Sequence, residues 1–482
     1  MHRLLNYHAG GVECSASLFS NDQIYFDYTF DYTRLNTHES SRPESAWRRP
    51  FLLLGRWPVW SGRLLMAVVI LALLSSLGLS FLAPLAGVLA WVAALMLFHR
   101  LSGIQALQVA VLLGVGGAGL IWGALAGGDW QWWVRALEAN QALLALLLAV
   151  SFLRLVASAD LVVDEKLPKG RKALWRTLLG VHLFGAVINF SSLVIMADRM
   201  ARNKPLQPLQ ALVLTRGFML AAHWSPFFAA MGVALINAPG ASLWVLILVG
   251  LPVALIALFI AGVRLLSQPE AKELEGYPMH LDALLLPVLL AVSVMVLHFI
   301  WEDLPVLTLV SGLSLIFSLV LLRKRHGKAA RKRLKQHIEH TLPTMSGETL
   351  LFLSAGVLAA GLGAMVQAAE FQLSLNGFGP WHAWGLLVVM VFVSAIGVHP
   401  VISIATAGGL VAPWVSDPNM LAMVFLMGWA LGVGVSPLSG THLTMQGRYG
   451  ISAFKFPRWN LGFVLVMLLV DLLVLQLYGF VA

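Results

Sequence analysis

The chain has 482 residues, 59% of them hydrophobic and 11% charged, with a mean hydropathy of +0.81 and a net charge of +9. A soluble fold of this length could not hide so much apolar surface, because most of what it presents must still face water. Apolar runs of about 20 residues recur without strand-period alternation, which excludes a β-barrel and predicts an all-α polytopic membrane protein.

Residues 1–61 are polar and mixed and do not resemble a cleavable signal peptide. They are expected to form a cytoplasmic tail whose last segment, AWRRPFLLLGRW, lies on the membrane surface. A lead span over 62–83 follows, then spans at about 84–98, 104–125 and 140–160. The stretch 173–199 is apolar but interrupted at its centre. Spans at 206–237 and 242–264 come next, then a cytoplasmic linker over 265–280. Beyond it lie spans at 281–300, 303–322 and 347–368, a second interrupted stretch at 382–414, and spans at 418–446 and 459–480. Each interrupted stretch is too broken for one span and too short for two, so each is expected to be a re-entrant hairpin.

The loop charges agree with that count. Arg48, Arg49, Arg56 and Arg63 precede the first span, and RKRHGKAARKRLK at 323–335 carries eight Lys and Arg. With these inside, the basic loops at 166–176 and 199–204 and the group Arg448, Lys455 and Arg458 fall inside too. This orientation puts the N-terminus in the cytoplasm and the C-terminus outside, as in a bacterial inner-membrane protein. The cluster Trp130, Trp132 and Trp133 suits an anchor at the outer interface. Because the positive charge follows topology, no nucleic-acid partner is expected; membrane lipid is the surrounding partner. The single cysteine, Cys14, excludes an intrachain disulfide and a cysteine metal cluster. There is no phosphate-binding loop and no HExxH or paired-carboxylate arrangement, so no enzyme activity, metal or cofactor is expected.

An offset of 211 positions aligns the two halves. GFMLAAHWSP (217–226) falls on GWALGVGVSP (428–437), and Ser192 falls on Ser403. In each half a span precedes a polar-tipped hairpin, a span broken at Ser-Pro, and a final span. With one lead span, five spans remain per half, and an odd number inverts the second copy. The first repeat then covers 84–264 and the second 281–482.

Proline removes a backbone donor and displaces the chain from helical geometry. In lipid such a break is tolerated only where it is packed in protein or lines a cavity. Two clusters follow. One is the tip Asn189, Phe190, Ser191 and Ser192 with the break at Ser225-Pro226. The other is the tip His399 to Ser403, with Thr406, and the break Ser436, Pro437, Ser439, Thr441 and His442. Helix N–H groups attract anions there, exposed carbonyls bind cations, and hydroxyls do either.

Arg216 lies inside the broken span and is a candidate hook for an anionic group; a salt bridge or a snorkel to the interface is the alternative. His182, His223, His399 and His442 lie near the clusters and could carry a coupled proton or satisfy a break. Asp471 is the one clear carboxylate deep in a span, a candidate for a cation or proton relay. Arg154 is expected to be interfacial or paired. Ser192, Ser403, His399, His442 and Asp471 are the coupling-ion candidates.

This layout resembles the ion transporter superfamily, which includes divalent-anion/sodium symporters and arsenite-permease-like proteins. SAIGVHPVISIATAGGLVAP is similar to the second-hairpin region of such carriers, and SPLSGTH stands where their second broken helix lies. The tips here depart from the Ser-Asn-Thr motifs of the dicarboxylate/sodium branch. The resemblance implies an elevator-type secondary transporter, a homodimer with a moving transport domain and a fixed scaffold. A small anionic solute is expected, driven by either Na⁺ or H⁺. A cation/proton antiporter on the same scaffold, or a membrane-embedded lipid-handling or assembly protein, are the other readings.

Overall fold

The structure is a computed structural model. It describes residues 57–156, 167–279, 285–369 and 377–481, together with the backbone of 5–9 and 12–16. The interfacial segment expected at 46–57, apart from Trp57, most of the N-terminal tail and the end of the 140–160 span lie outside the described residues. Two units are present, Met1–Gly55 and Arg56–Ala482.

In the first unit, strands β1 (Leu5–Ala9) and β2 (Val12–Ala16) pair antiparallel, Leu5 opposite Ala16 and Ala9 opposite Val12. This pair lies in the N-terminal unit, and the membrane unit is all-α as expected. The pair is a short ribbon, and the alternation it needs spans too few residues to stand out against the apolar runs.

The second unit is helical. It opens with α1 (Trp57–Ser76), α2 (Leu82–Leu97), α3 (Gly103–Leu125), the short α4 (Gln131–Glu138) and α5 (Gln141–Ser151). Then come α6 (Arg171–Ile188), α7 (Phe190–Met200), α8 (Pro208–Met219), α9 (Ala229–Asn237) and α10 (Leu243–Leu266). The middle holds α11 (Leu285–Ile300), α12 (Val306–His326), α13 (Ala330–Gln336) and α14 (Ser346–Ala368). The chain closes with α15 (Pro380–Ala395), α16 (Pro400–Val411), α17 (Pro418–Val435), α18 (Gly440–Tyr449) and α19 (Phe456–Val481).

Helix starts follow the sequence punctuation. Pro208, Pro380, Pro400 and Pro418 each open a helix, where the missing N–H costs nothing. Asp417 accepts from the N–H groups of Asn419 and Met420 at the start of α17, and Ser439 accepts from the His442 N–H at the start of α18.

Among the described residues, eight helical tracts are long and apolar enough to cross a membrane, and the protein is an integral membrane protein. The expected count was eleven, and three local features account for the difference. α12 and α14 join through short helical turns into one tract, Val306–Ala368. The 206–237 span is divided into α8 and α9, and α11 is short within the described residues.

The tracts differ sharply in surroundings. In the most apolar 18-residue window of Gly103–Leu125, 28% of the residues are buried, against 89% in that of Pro418–Tyr449. The outer helices present apolar stripes, such as Leu461, Leu465, Leu469, Leu473 and Leu477 along α19, all more than half exposed. A stripe that would aggregate in water is at home against acyl chains. Inside, α3 crosses α14 at backbone contact. A Cβ added at Gly361 would come within 2.1 Å of the Gly116 carbonyl oxygen, so the crossing depends on glycine on both helices.

Two helix pairs fold back on themselves. α6 and α7 are separated by Asn189 alone, whose positive φ (φ 59°, ψ −143°) is uncommon for any residue but glycine. Gly180 of α6 lies against Met196 of α7. At the open end, Tyr277 donates its N–H to Thr177 Oγ1 (2.7 Å) and lies within electrostatic reach of Arg199. α15 and α16 turn at Ile396–His399. Pro380, which starts α15, packs on Gly479, and Asp417, which follows α16, is hydrogen-bonded to Tyr478. Both ends of this pair therefore meet the same end of α19.

Candidate functional site

The two folded-back pairs and the two broken helices converge on one cavity of about 390 Å³. Four helix N-termini reach it: Phe190 and Ser191 of α7, Phe228 and Ala229 at α9, His399 at α16, and Gly440 and Thr441 of α18. The C-terminal ends of α6, α8 and α17 also border it, through Ile188, Met219 and Val433. Unpaired N–H and C=O groups of both kinds therefore gather at one place.

The side chains add donors and one acid. Asn189 and Ser191 line the cavity, and among the described residues their side chains make no hydrogen bond. His399 accepts the Val401 N–H on Nδ1 (3.2 Å), which places its own proton on Nε2. Glu348, in the first turn of α14, lines the same cavity and is exposed to it. Arg154 and Thr341 stand where this cavity meets a second hollow lined by Arg333, His337 and His340. The cavity thus opens toward the end of the molecule that carries the basic 323–335 stretch.

Its other side is closed by a thin aromatic wall. Phe352 of α14 stacks on Trp429 of α17 (6.4 Å between centroids, 6° between planes), and His399 stands edge-on to Trp429 (5.5 Å, 86°). Asn140 donates from Nδ2 to the Phe352 carbonyl (2.6 Å). Beyond this wall is a larger space of about 770 Å³, lined by Asn140, Gly356, Gly409 and Asn237, which opens beside Asp129, Trp132 and Pro413 at the opposite end. One turn of α14, from Phe352 to Gly356, separates the two spaces.

The expected site residues divide into three groups. Asn189, Ser191, His399 and Thr441 line the cavity. A second group stitches the breaks. Ser225 Oγ donates to the Ala186 carbonyl and accepts the Phe227 N–H (3.2 Å), with Pro226 holding the turn between them. Ser192 Oγ donates to the Asn189 carbonyl (2.9 Å), and Thr406 Oγ1 to the Ile402 carbonyl (2.8 Å). Ser439 caps α18 and receives the Thr441 hydroxyl (3.4 Å). His442 donates from Nδ1 to the Ser436 carbonyl (2.8 Å) across Pro437 and stacks on Phe456. His182 accepts the Trp224 indole N–H on Nε2 (3.1 Å) and donates from Nδ1 to the Gly217 carbonyl (3.1 Å), and His223 donates to the Leu220 carbonyl. The third group has buried atoms left unpartnered: His223 Nε2, Ser403 Oγ, Ser436 Oγ, His442 Nε2 and both carboxylate oxygens of Asp471. Asp471 lies on α19, packed against α15 and α17, and does not line the cavity.

Arg216 is placed elsewhere than expected. It does not line the cavity. Its Nε–H donates to Asn460 Oδ1 (2.8 Å), Asn460 Nδ2 donates to the Gly434 carbonyl (2.7 Å), and an Nη2–H reaches the Trp459 carbonyl (2.9 Å). The arginine therefore ties α8, α17 and α19 together. Glu348 was missed because it stands beside a polar loop, one residue inside an expected span. Asp471 is accordingly not the only acid to weigh. Arg154 proves to stand at the cavity mouth. No known protein-family model matches this chain, and no curated protein matches it in sequence.

Proposed function

We propose that the protein is an ion-coupled secondary transporter that carries a small anionic solute across the inner membrane, with the basic end cytoplasmic. The observation that carries this reading is the meeting of four helix N-termini at one cavity, since each end presents free N–H groups and about half a positive charge. The transporter architecture is supported by the order of elements. After the lead helix α1, the series α2 to α10 and the series α11 to α19 run in parallel: two spans, a short helix, a span, a folded-back pair, a broken helix and a final span. On this reading the halves are inverted repeats and the folded-back pairs are re-entrant hairpins. The two spaces on either side of the Phe352–Trp429 wall are the inner and outer approaches to one site. The pairs α6–α7 and α15–α16, with the broken helices, move as an elevator against a scaffold that includes α3 and α14, likened above to the ion transporter superfamily. A homodimer through that scaffold follows from the same likeness.

Glu348 supplies the coupling. A carboxylate facing the cavity repels an anion until a proton or a cation neutralises it. Solute and H⁺ or Na⁺ then bind together, which is the requirement for symport. In liposomes, an imposed proton or sodium gradient is expected to drive uptake of organic or inorganic anions, and Glu348→Gln is expected to uncouple uptake from the gradient. Absence of anion movement under either gradient contradicts the reading. Glu348 also favours a second reading, a cation/proton antiporter. That version predicts that Na⁺ or K⁺ gradients move protons in the absence of any anion, and that Glu348→Gln abolishes the exchange.

A further inference from the structure

Away from the cavity, α8, α10 and α19 enclose a third space, of about 730 Å³. Two guanidinium groups meet there. Arg216, 2% exposed, carries an Nη1 that is buried and has no hydrogen-bond partner, and its Cζ lies 4.8 Å from the centre of the Phe463 ring. Arg264, in the last turn of α10, crosses α19 at Gly462, where a Cβ would come within 2.7 Å of its Nη2. Among the described residues neither arginine is paired with a carboxylate. Neither glutamate on the lining, Glu270 or Glu273, forms an ion pair with the two arginines, and the buried Nη1 of Arg216 is a donor that an anion between the guanidinium groups would satisfy. Phosphate is the group whose oxygens match two guanidinium forks.

The rest of the lining says which kind of phosphate. Leu209, Leu212 and Trp459 give the space an apolar side, and Glu270 and Glu273 stand on it as well. Arg264 follows the half-exposed Val263, at the level where α10 leaves its apolar stretch. This is the depth of lipid headgroups, where tryptophan also concentrates. We infer that this space binds the phosphate of a membrane phospholipid through Arg216 and Arg264, with Glu270 and Glu273 facing an ammonium on the headgroup. It is a site separate from the transport cavity and does not rest on the transport reading.

The test uses the full-length protein in detergent. Dioctanoyl phosphatidylethanolamine is expected to raise the melting temperature by about 2 °C or more at saturating concentration. Dioctanoylglycerol, with the same chains and no phosphate, is expected to leave it unchanged. Arg264→Gln, at an exposed position, is expected to lose the shift, and native mass spectrometry is expected to show one phospholipid fewer retained. An equal shift from inorganic phosphate, also lost in Arg264→Gln, keeps the two-arginine phosphate site and rejects lipid as its source. A shift that dioctanoylglycerol reproduces, a shift that survives in Arg264→Gln, or no shift with any phosphate compound overturns the inference.

Discussion

The two Ser-Pro breaks occupy matching places in the two halves, yet they are finished differently. At the first, Ser225 satisfies a carbonyl left open at the end of α6 and also takes up the Phe227 N–H, while Trp224 is held by His182. Gly250 of α10 seats directly on the His223 carbonyl, where an added Cβ would come within 2.0 Å of the oxygen. At the second break, Ser436 Oγ and His442 Nε2 are buried without partners, and so is Ser403 Oγ on the neighbouring α16. At the first break the Ala186 carbonyl and the Phe227 N–H are both met by Ser225 and, among the described residues, only His223 Nε2 is left unpartnered, whereas the second leaves the serine hydroxyl itself unpartnered as well as the histidine Nε2. A buried polar atom left unpaired costs about 1–3 kcal/mol. Among the described residues the second break carries more of these atoms than the first, and on the transport reading proposed above it is the better candidate for holding an ion or solute.

Three substitutions sharpen or break that contrast, and they differ in expected size. Gly250→Val forces a side chain into the His223 carbonyl and is expected to destabilise by about 3 kcal/mol or to prevent folding, read as loss of monodisperse protein in size-exclusion chromatography. Ser225→Ala leaves the Ala186 carbonyl and the Phe227 N–H open and is expected to lower stability by about 2 kcal/mol, seen as a lower thermal midpoint. Ser436→Ala removes a hydroxyl that no protein group uses. It is expected to change stability by less than about 0.5 kcal/mol while lowering transport or ion-dependent stabilisation. If Ser225→Ala proves harmless, or Ser436→Ala proves as destabilising as Ser225→Ala, the two breaks are equivalent and the contrast fails.

The sequence carried the framework because its signals are local. Prolines 208, 380, 400 and 418 mark helix starts, and the Ser-Pro pairs mark the breaks, each within a few residues of the structure they cause. Site membership was less legible because it depends on distant partners. Arg216 looked like a hook for an anion, but the group that holds it, Asn460, is 244 residues away and carries no distinguishing motif. Glu348 was missed because an acid beside a basic loop carries no distinguishing pattern, and only the convergence of α14 with both tips turns it toward the cavity. The aromatic wall was hidden for the same reason: Phe352 and Trp429 look like any other apolar residue in a span until the folded chain stacks them.

Accessibility of the cavity from both faces of the membrane is the most direct measurement. Ser191 lines the cavity, and replacing the only native cysteine, Cys14, gives a background for Ser191→Cys. Alternating access predicts that a membrane-impermeant thiol reagent labels this cysteine from the basic side and, more slowly, from the opposite side, with solute or coupling ion shifting the ratio. Labelling from one side only under every gradient tested would contradict a carrier.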